Sequence, residues 1–291
     1  MAMIIAQQLT KYYETYKDTE VIFTKDIIKT LAMDPRQIYI KCADGQWPCI
    51  INSLSFSLAR IIIGTKGGAY QKMSAPNPPA MNLRLCFYKP DGQQLSFFIS
   101  CKVKEITPYM NSKDLVIVAL SYTQRPPDDL IEKMGLLIEA NDNSLRRKED
   151  RIAITPDSCR KLGIPKEECV AIVQNVPRRC ILRDLSFGGA KIVILGLAQY
   201  LMDKDVQISL EFDDPHEIIQ LRGVVTGTNE VQGRKDMVVA NVKYYEETLP
   251  LSYKIHINNY LTSVRKQNLT SDVVADENAG KQPADTGTDE I

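Results

Sequence analysis

The chain repeats itself. Residues 50 to 63 (IINSLSFSLARIII) lie over residues 181 to 194 (ILRDLSFGGAKIVI) at a constant offset of 131 positions. The same offset continues upstream, setting Thr24-Lys25-Asp26 over Thr155-Pro156-Asp157, Leu31 over Leu162 and Met33 over Ile164. Self-similarity of this length means two copies of one folding unit, each with its own core to bury. Downstream the offset falls to about 125, where Leu83, Leu85 and Phe87 meet Ile208, Leu210 and Phe212, and then to 122, where Asp114 to Ile117 meet Asp236 to Val239. The shrinkage falls in residues 64 to 79, whose GTKGG and PNPP composition predicts a longer loop in the first copy.

Within each copy the apolar pattern has period two. Val206, Ile208, Leu210 and Phe212 alternate with polar residues, as do Phe97, Ile99, Cys101 and Val103, which marks strands with one buried face. Several such runs separated by turn residues predict a mainly β chain made of two small antiparallel β-barrels. Each copy then ends in a predicted helix, residues 128 to 139 in the first and 249 to 264 in the second. Thr24 and Thr155 are set as N-caps of short helices, with Pro156 suited to a first helical position.

Function is concentrated in two separated motifs of the second copy. One is Arg146-Arg147-Lys148-Glu149-Asp150-Arg151; the other, beginning thirty-three residues after Arg151, is Asp184-Leu185-Ser186-Phe187-Gly188-Gly189. Guanine offers two acceptors on one edge and N–H donors on another. Arginine matches the acceptors bidentately, stacks on the purine face and pairs with phosphate. A carboxylate such as Asp184 only accepts, so it matches the donor edge, while the Ser186 hydroxyl does either. Gly189 gives a backbone that turns with positive φ or leaves room for a flat ligand.

These residues, in this order, resemble the PilZ domain family of cyclic di-GMP receptors, whose signature is Arg-x-x-x-Arg on an N-terminal segment and Asp/Asn-x-Ser-x-x-Gly on a barrel strand. The match is Arg147 and Arg151 with Asp184, Ser186 and Gly189, and the resemblance spans roughly residues 140 to 265. It implies a split-barrel type of β-barrel, a bacterial cytoplasmic setting, cyclic di-GMP as ligand rather than cofactor, and roles in motility, biofilm formation or virulence. An extra arginine before the motif, Arg146, resembles the type that binds a stacked pair of ligands. Arg179 and Arg183 repeat the spacing as a decoy just before Asp184, and with Arg178 rank as lesser contacts.

The repeat then assigns the first copy. Arg147 aligns with Tyr16, Arg151 with Glu20, Asp184 with Ser53 and Gly189 with Leu58, while Ser186 keeps Ser55. Glu20 would repel a phosphate that Arg151 attracts. The first copy is therefore expected to fold like the second without binding its nucleotide. The tandem resembles the PlzA type, in which the N-terminal domain is the surface for an effector protein. The expected organisation is an N-terminal domain over 1–140, a linker over 141–151 that carries the arginines, a PilZ domain over 152–267, and a disordered acidic tail over 268–291, where six acids stand against Lys281. Ligand captured by the barrel would draw the linker onto it and shift the domain arrangement.

Other classes find less support. Lys plus Arg and Asp plus Glu each number 36, so no net field recruits nucleic acid or a membrane surface. Seven cysteines without C-x-x-C spacing read as reduced core residues, and no metal site is expected. The N-terminus lacks a signal-peptide pattern, and no apolar run is long enough to span a bilayer. His216 and His256 lack the partners catalysis requires, and Gly64 to Gly68 lacks P-loop spacing, so a receptor is expected rather than an enzyme. The runner-up is a nucleic-acid-binding regulator presenting Lys41, Arg60, Lys66 and Lys72, with Tyr12, Tyr13 and Tyr16 to stack bases. A ligand-independent adaptor stands third.

Overall fold

A computed structural model of the chain describes residues 2–42, 45–89 and 91–279. The chain divides into two compact units after Arg146. The first contains α1 (Ala2–Tyr16), β1 (Val21–Ile22), α2 (Lys25–Thr30), β2 (Tyr39–Cys42), β3 (Gly45–Pro48), β4 (Ile50–Leu54), β5 (Leu58–Gly64), α3 (Gly68–Met73), β6 (Met81–Tyr88), β7 (Gln94–Pro108), β8 (Leu115–Tyr122) and α4 (Asp128–Arg146). The second contains β9 (Ile152–Ala153), α5 (Pro156–Leu162), β10 (Glu168–Val173), β11 (Val176–Leu185), β12 (Gly189–Leu195), α6 (Ala198–Leu201), β13 (Asp205–Asp213), β14 (His216–Val231), β15 (Arg234–Tyr244) and α7 (Leu251–Ala279).

In the second unit the sheet order is β10-β13-β14-β15-β12-β11-β9, and β10 also pairs with β11. That pairing closes the ring and removes its edges, leaving β9 as a short strand hung on β11. The alternating apolar residues fill the interior: Leu182, Ile192, Ile208, Leu210, Phe212 and Leu221 are all buried. Helix α7 lays Tyr253 and Ile257, both fully buried, against this core. His256, on the same helix, stacks on Phe212 with ring centroids 3.9 Å apart and meets the Glu217 carboxylate at 2.9 Å. It is a satisfied histidine, and His216 merely opens β14.

The first unit repeats the second strand for strand. Its sheet runs β1-β4-β5-β8-β7-β6-β2-β3, antiparallel throughout. Tyr39↔Pro48 and Cys42↔Gly45 match Val170↔Arg179 and Val173↔Val176 at the offset of 131. Strands β3 and β4 together occupy the positions of β11, interrupted only at Cys49 after Pro48. The closing strand of the first copy is thus broken into two segments, one bonded to β2 and the other to β5. Both expected caps form: the Thr24 hydroxyl accepts from the Ile27 N–H, and Thr155 forms a capping box with Ser158 ahead of Pro156.

Three boundaries differ from expectation. Residues 141–144, assigned to a linker, are helical, because α4 runs on to Arg146. Its buried face of Leu130, Ile131, Met134, Leu137 and Ile138 continues through Ala140 to Ser144, whose hydroxyl donates to the Asn141 carbonyl at 2.7 Å. The long loop after β5 holds α3, which buries Ala69 and Met73. The tail expected to be disordered from residue 268 is helical to Ala279, while residues 280–291 lie outside the described part. Extending an existing helix costs far less than nucleating one, and no proline interrupts this stretch.

Packing of α1 on α4 depends on one glycine. Tyr12 is buried with its hydroxyl donating to Glu139 at 2.9 Å, and a Cβ placed on Gly135 would overlap the Tyr12 ring. Alanine in mid-helix is worth about 1 kcal/mol over glycine, yet Gly135→Ala is expected to destabilise the chain by roughly 1–3 kcal/mol through overpacking. The midpoint of denaturant unfolding is the check, and an upward shift would contradict the close approach.

Candidate functional site

A bulge decides which way the Asp184 side chain points. On β11, Cys180 and Leu182 point into the barrel, so strict alternation would send Asp184 inward as well. The register between β11 and β12 slips between Leu182 and Asp184, leaving Arg183 as the extra residue. Leu185 takes the core position at 0% exposure, and Asp184 turns out to the rim. Strand β9 pairs Ala153 with Asp184 and Ile152 with Leu185, which brings the preceding residue, Arg151, beside the carboxylate. Arg151 reaches Asp184 Oδ1 at 2.6 Å, and Lys191 of β12 reaches Oδ2 at 3.7 Å.

The Ser186 hydroxyl faces backbone. It is buried, accepts from the Gly189 N–H at 3.1 Å and lies 3.2 Å from the Gly189 carbonyl, while the two backbones also bond at 2.8 Å. Tyr253 donates to the Ser186 carbonyl at 2.8 Å and ties the turn to α7. Gly189 was expected to serve positive φ or an approaching ligand; its φ lies outside the left-handed region, and a Cβ there would strike the Val242 carbonyl on β15. Its need for glycine comes from the neighbouring strand.

Residues 147–151 form a turn, with the Asp150 N–H bonded to the Arg147 carbonyl at 3.2 Å. Several contacts lay that turn on the barrel. The Gly188 N–H donates to the Lys148 carbonyl at 3.1 Å, Lys148 pairs with Glu246 at 2.5 Å, and Asp150 pairs with Arg265 at 3.7 Å. Glu246 is exposed, and the Lys148 ammonium bonded to it holds its carboxyl below the usual range. Arg147 is half-buried in this turn. Arg146 is the last residue of α4 in the first unit, with its guanidinium 3.7 Å from Asp142. Among the lesser candidates, Arg178 donates to the Leu195 carbonyl at 2.8 Å, whereas Arg179 and Arg183 are exposed.

The corresponding place in the first unit has the same backbone and inverted charges. Strand β1 pairs Val21 with Leu54 and Ile22 with Ser53, matching β9 on β11, and a bulge again falls between Ile51 and Ser53. Glu20 stands where Arg151 would, bonded to the Ser53 hydroxyl and paired with Arg60 at 2.7 Å. Burial pushes the Glu20 carboxyl up, but the bonds from Ser53 and Arg60 outweigh it and hold the group below its ordinary value. Ser55 accepts from the Leu58 N–H at 3.1 Å, as Ser186 does from Gly189. That turn explains why this serine alone survives in both copies. The aromatic residues proposed to stack bases are also taken: Tyr12 is buried, and Tyr13 lies against Phe56 with Arg125 over its ring. Arg60 and Lys66 are paired with Glu20 and Asp114.

A PilZN3 domain matches residues 7–141 and a PilZ domain matches residues 145–263. A Treponema denticola protein described as a cyclic di-GMP binding protein is 43% identical over 268 residues, covering 91% of this chain and 85% of that protein. The chain belongs to the PilZ family. Among solved structures this PilZ protein is similar to PlzA of Borreliella burgdorferi in complex with c-di-GMP, at 20% identity and a TM-score of 0.39 over 88% of this chain and 99% of that one. It is also similar to Escherichia coli YcgR in complex with c-di-GMP, at 12% identity and a TM-score of 0.27 over 93% of both chains.

Motif reading of the PilZ signature overlooked Lys191, Lys148, Glu246 and Gly188. Lys191 had a signal, since the repeat keeps a cation there as Arg60. Lys148 and Glu246 lie 98 residues apart and had none. Arg151 and Asp184 are 41% and 13% exposed, a partly solvated pair. Arg151→Ala is therefore expected to change unfolding stability by less than about 1 kcal/mol. Gly189→Ala, which forces β12 from β15, should cost roughly 1–3 kcal/mol. Thermal unfolding of both variants beside the parent chain checks the contrast, and equal losses would refute it.

Proposed function

We propose that this chain is a bacterial cytoplasmic receptor for cyclic di-GMP, and that it acts by binding rather than by catalysis. The observation that carries the reading is the turn at 147–151 laid across the end of β11, which brings Arg151 to within 2.6 Å of Asp184 beside half-buried Arg147. A guanine nucleotide with two phosphates needs this mixture: planar cations for phosphate and the O6/N7 edge, and a carboxylate for the N–H edge. Arg147, Arg151 and Asp184 present the charge. Ser186 and Gly189 hold the turn that sets their spacing, and Arg146, adjacent in the chain, adds a cation for a second, stacked ligand. The relative at 43% identity, described as a cyclic di-GMP binding protein, supports the same ligand.

The first unit would then be the output surface for an effector protein, in motility, biofilm or virulence control. Its own site is closed by the Glu20–Arg60 pair. Because α4 ends at Arg146 and the turn begins at Arg147, a ligand gripping the turn acts on the residue next to the helix.

Calorimetric titration with cyclic di-GMP in moderate salt tests the reading. Each charged hydrogen bond is worth roughly 1.5–3 kcal/mol, so Arg151→Ala and Asp184→Ala are expected to weaken binding about ten- to a hundredfold. Arg179→Ala should do much less. No heat of binding from the folded parent chain, or equal losses from all three variants, would overturn the assignment.

A further inference from the structure

Two thiols of the second unit face each other outside the proposed nucleotide site. Cys169 on β10 stands opposite Cys180 on β11 in the ladder that closes the barrel, with the sulfurs 3.1 Å apart. A disulfide bond is about 2.04 Å long, so the two are free thiols held inside van der Waals contact. Opposed residues of an antiparallel pair have Cα atoms about 4.5–5.5 Å apart, within the range of about 4.4–6.8 Å that a disulfide spans. Bond formation therefore requires only side-chain rotation. Cys180 is buried, whereas Cys169 is partly exposed and lines a surface cavity of about 390 Å³ together with Lys166, Glu168 and Arg179. One thiol belongs to a partly exposed residue at the mouth of the cavity, and the other to a buried one.

We propose that Cys169 and Cys180 form a reversible dithiol–disulfide site, oxidised by hydrogen peroxide. The Cys169 thiolate attacks a peroxide oxygen; the O–O bond breaks, leaving a sulfenic acid on Cys169 and hydroxide, which takes up a proton to become water. The Cys180 sulfur then attacks the Cys169 sulfur. The S–O bond breaks, the Cys180 proton leaves with the oxygen as a second water, and a disulfide joins β10 to β11. Two thiols have supplied the two electrons that reduce the peroxide.

The roles follow from the surroundings. The hydrogen bond between the two thiols lowers the Cys169 thiol below its ordinary value despite burial. Cys169, the partly exposed member of the pair, is the attacking sulfur, and buried Cys180 resolves the second step. The repeat supplies a contrast. Cys180 aligns with Cys49, but Cys169 aligns with Ile38, so the first copy has one cysteine of the pair. Cys49 is buried, with its thiol pushed up to about 12 by that burial.

The test uses the reduced full-length chain, treated with a small excess of hydrogen peroxide, alkylated in denaturant and mapped by mass spectrometry without reduction. The expected product is a linked peptide pair carrying Cys169 and Cys180, with Cys49 and the other cysteines alkylated, and full reversal by dithiothreitol. In Cys180→Ala the reaction should stop at a sulfenic acid on Cys169 that dimedone traps. Should that variant not fold, the map of the parent chain decides alone. All cysteines alkylated as in untreated protein, a bond involving any other cysteine, or irreversible oxidation of Cys169 in the parent chain would overturn the proposal.

Discussion

The bulge at Arg183 sits between Leu182, which fills the barrel, and Asp184, which without it would have to. A carboxylate forced into that interior would cost several kcal/mol or lose its charge. One extra residue instead moves Leu185 into the core and leaves Asp184 at the rim, where Arg151 and Lys191 reach it. The short strand β9 fixes where the arginine segment joins, the Ser186–Gly189 turn fixes where β11 ends, and Tyr253 pins that turn to the terminal helix. Together these set the outward aim of one side chain.

The two copies amount to a controlled comparison within a single chain. Register, bulge and serine turn are kept, so backbone geometry is common to both. What differs is the sign of the charge delivered to the end of the strand. In the second unit the segment brings a cation to a strand carboxylate; in the first it brings Glu20 to a strand cation, Arg60. Geometry and charge can therefore be separated, and only charge distinguishes a site proposed to bind from one that is internally satisfied.

Much of this was legible beforehand because a repeat constrains more than either half does. A constant offset of 131 through residues 50 to 63 carried the strand pairing across, and two threonines gave their caps. What escaped depended on distant partners. Asn141 to Ser144 have weak helix propensity, but burial of Ser144 and momentum from the preceding turns extend α4 through them. Gly189 read as a concession to a ligand, whereas the Val242 carbonyl already requires it. The contact of Lys148 with Glu246 joins residues 98 apart, a distance at which no local pattern speaks.

The inverted pair in the first unit also bears on its history. Replacing Glu20 by arginine would set two cations together beside an uncharged Ser53, and introducing aspartate at 53 first would set two carboxylates together. Either single step passes through like-charge repulsion. The first site is therefore not a dormant copy that one substitution could wake. It lies across a valley from the arrangement in the second unit, and that leaves its surface open to another task while the fold is held constant.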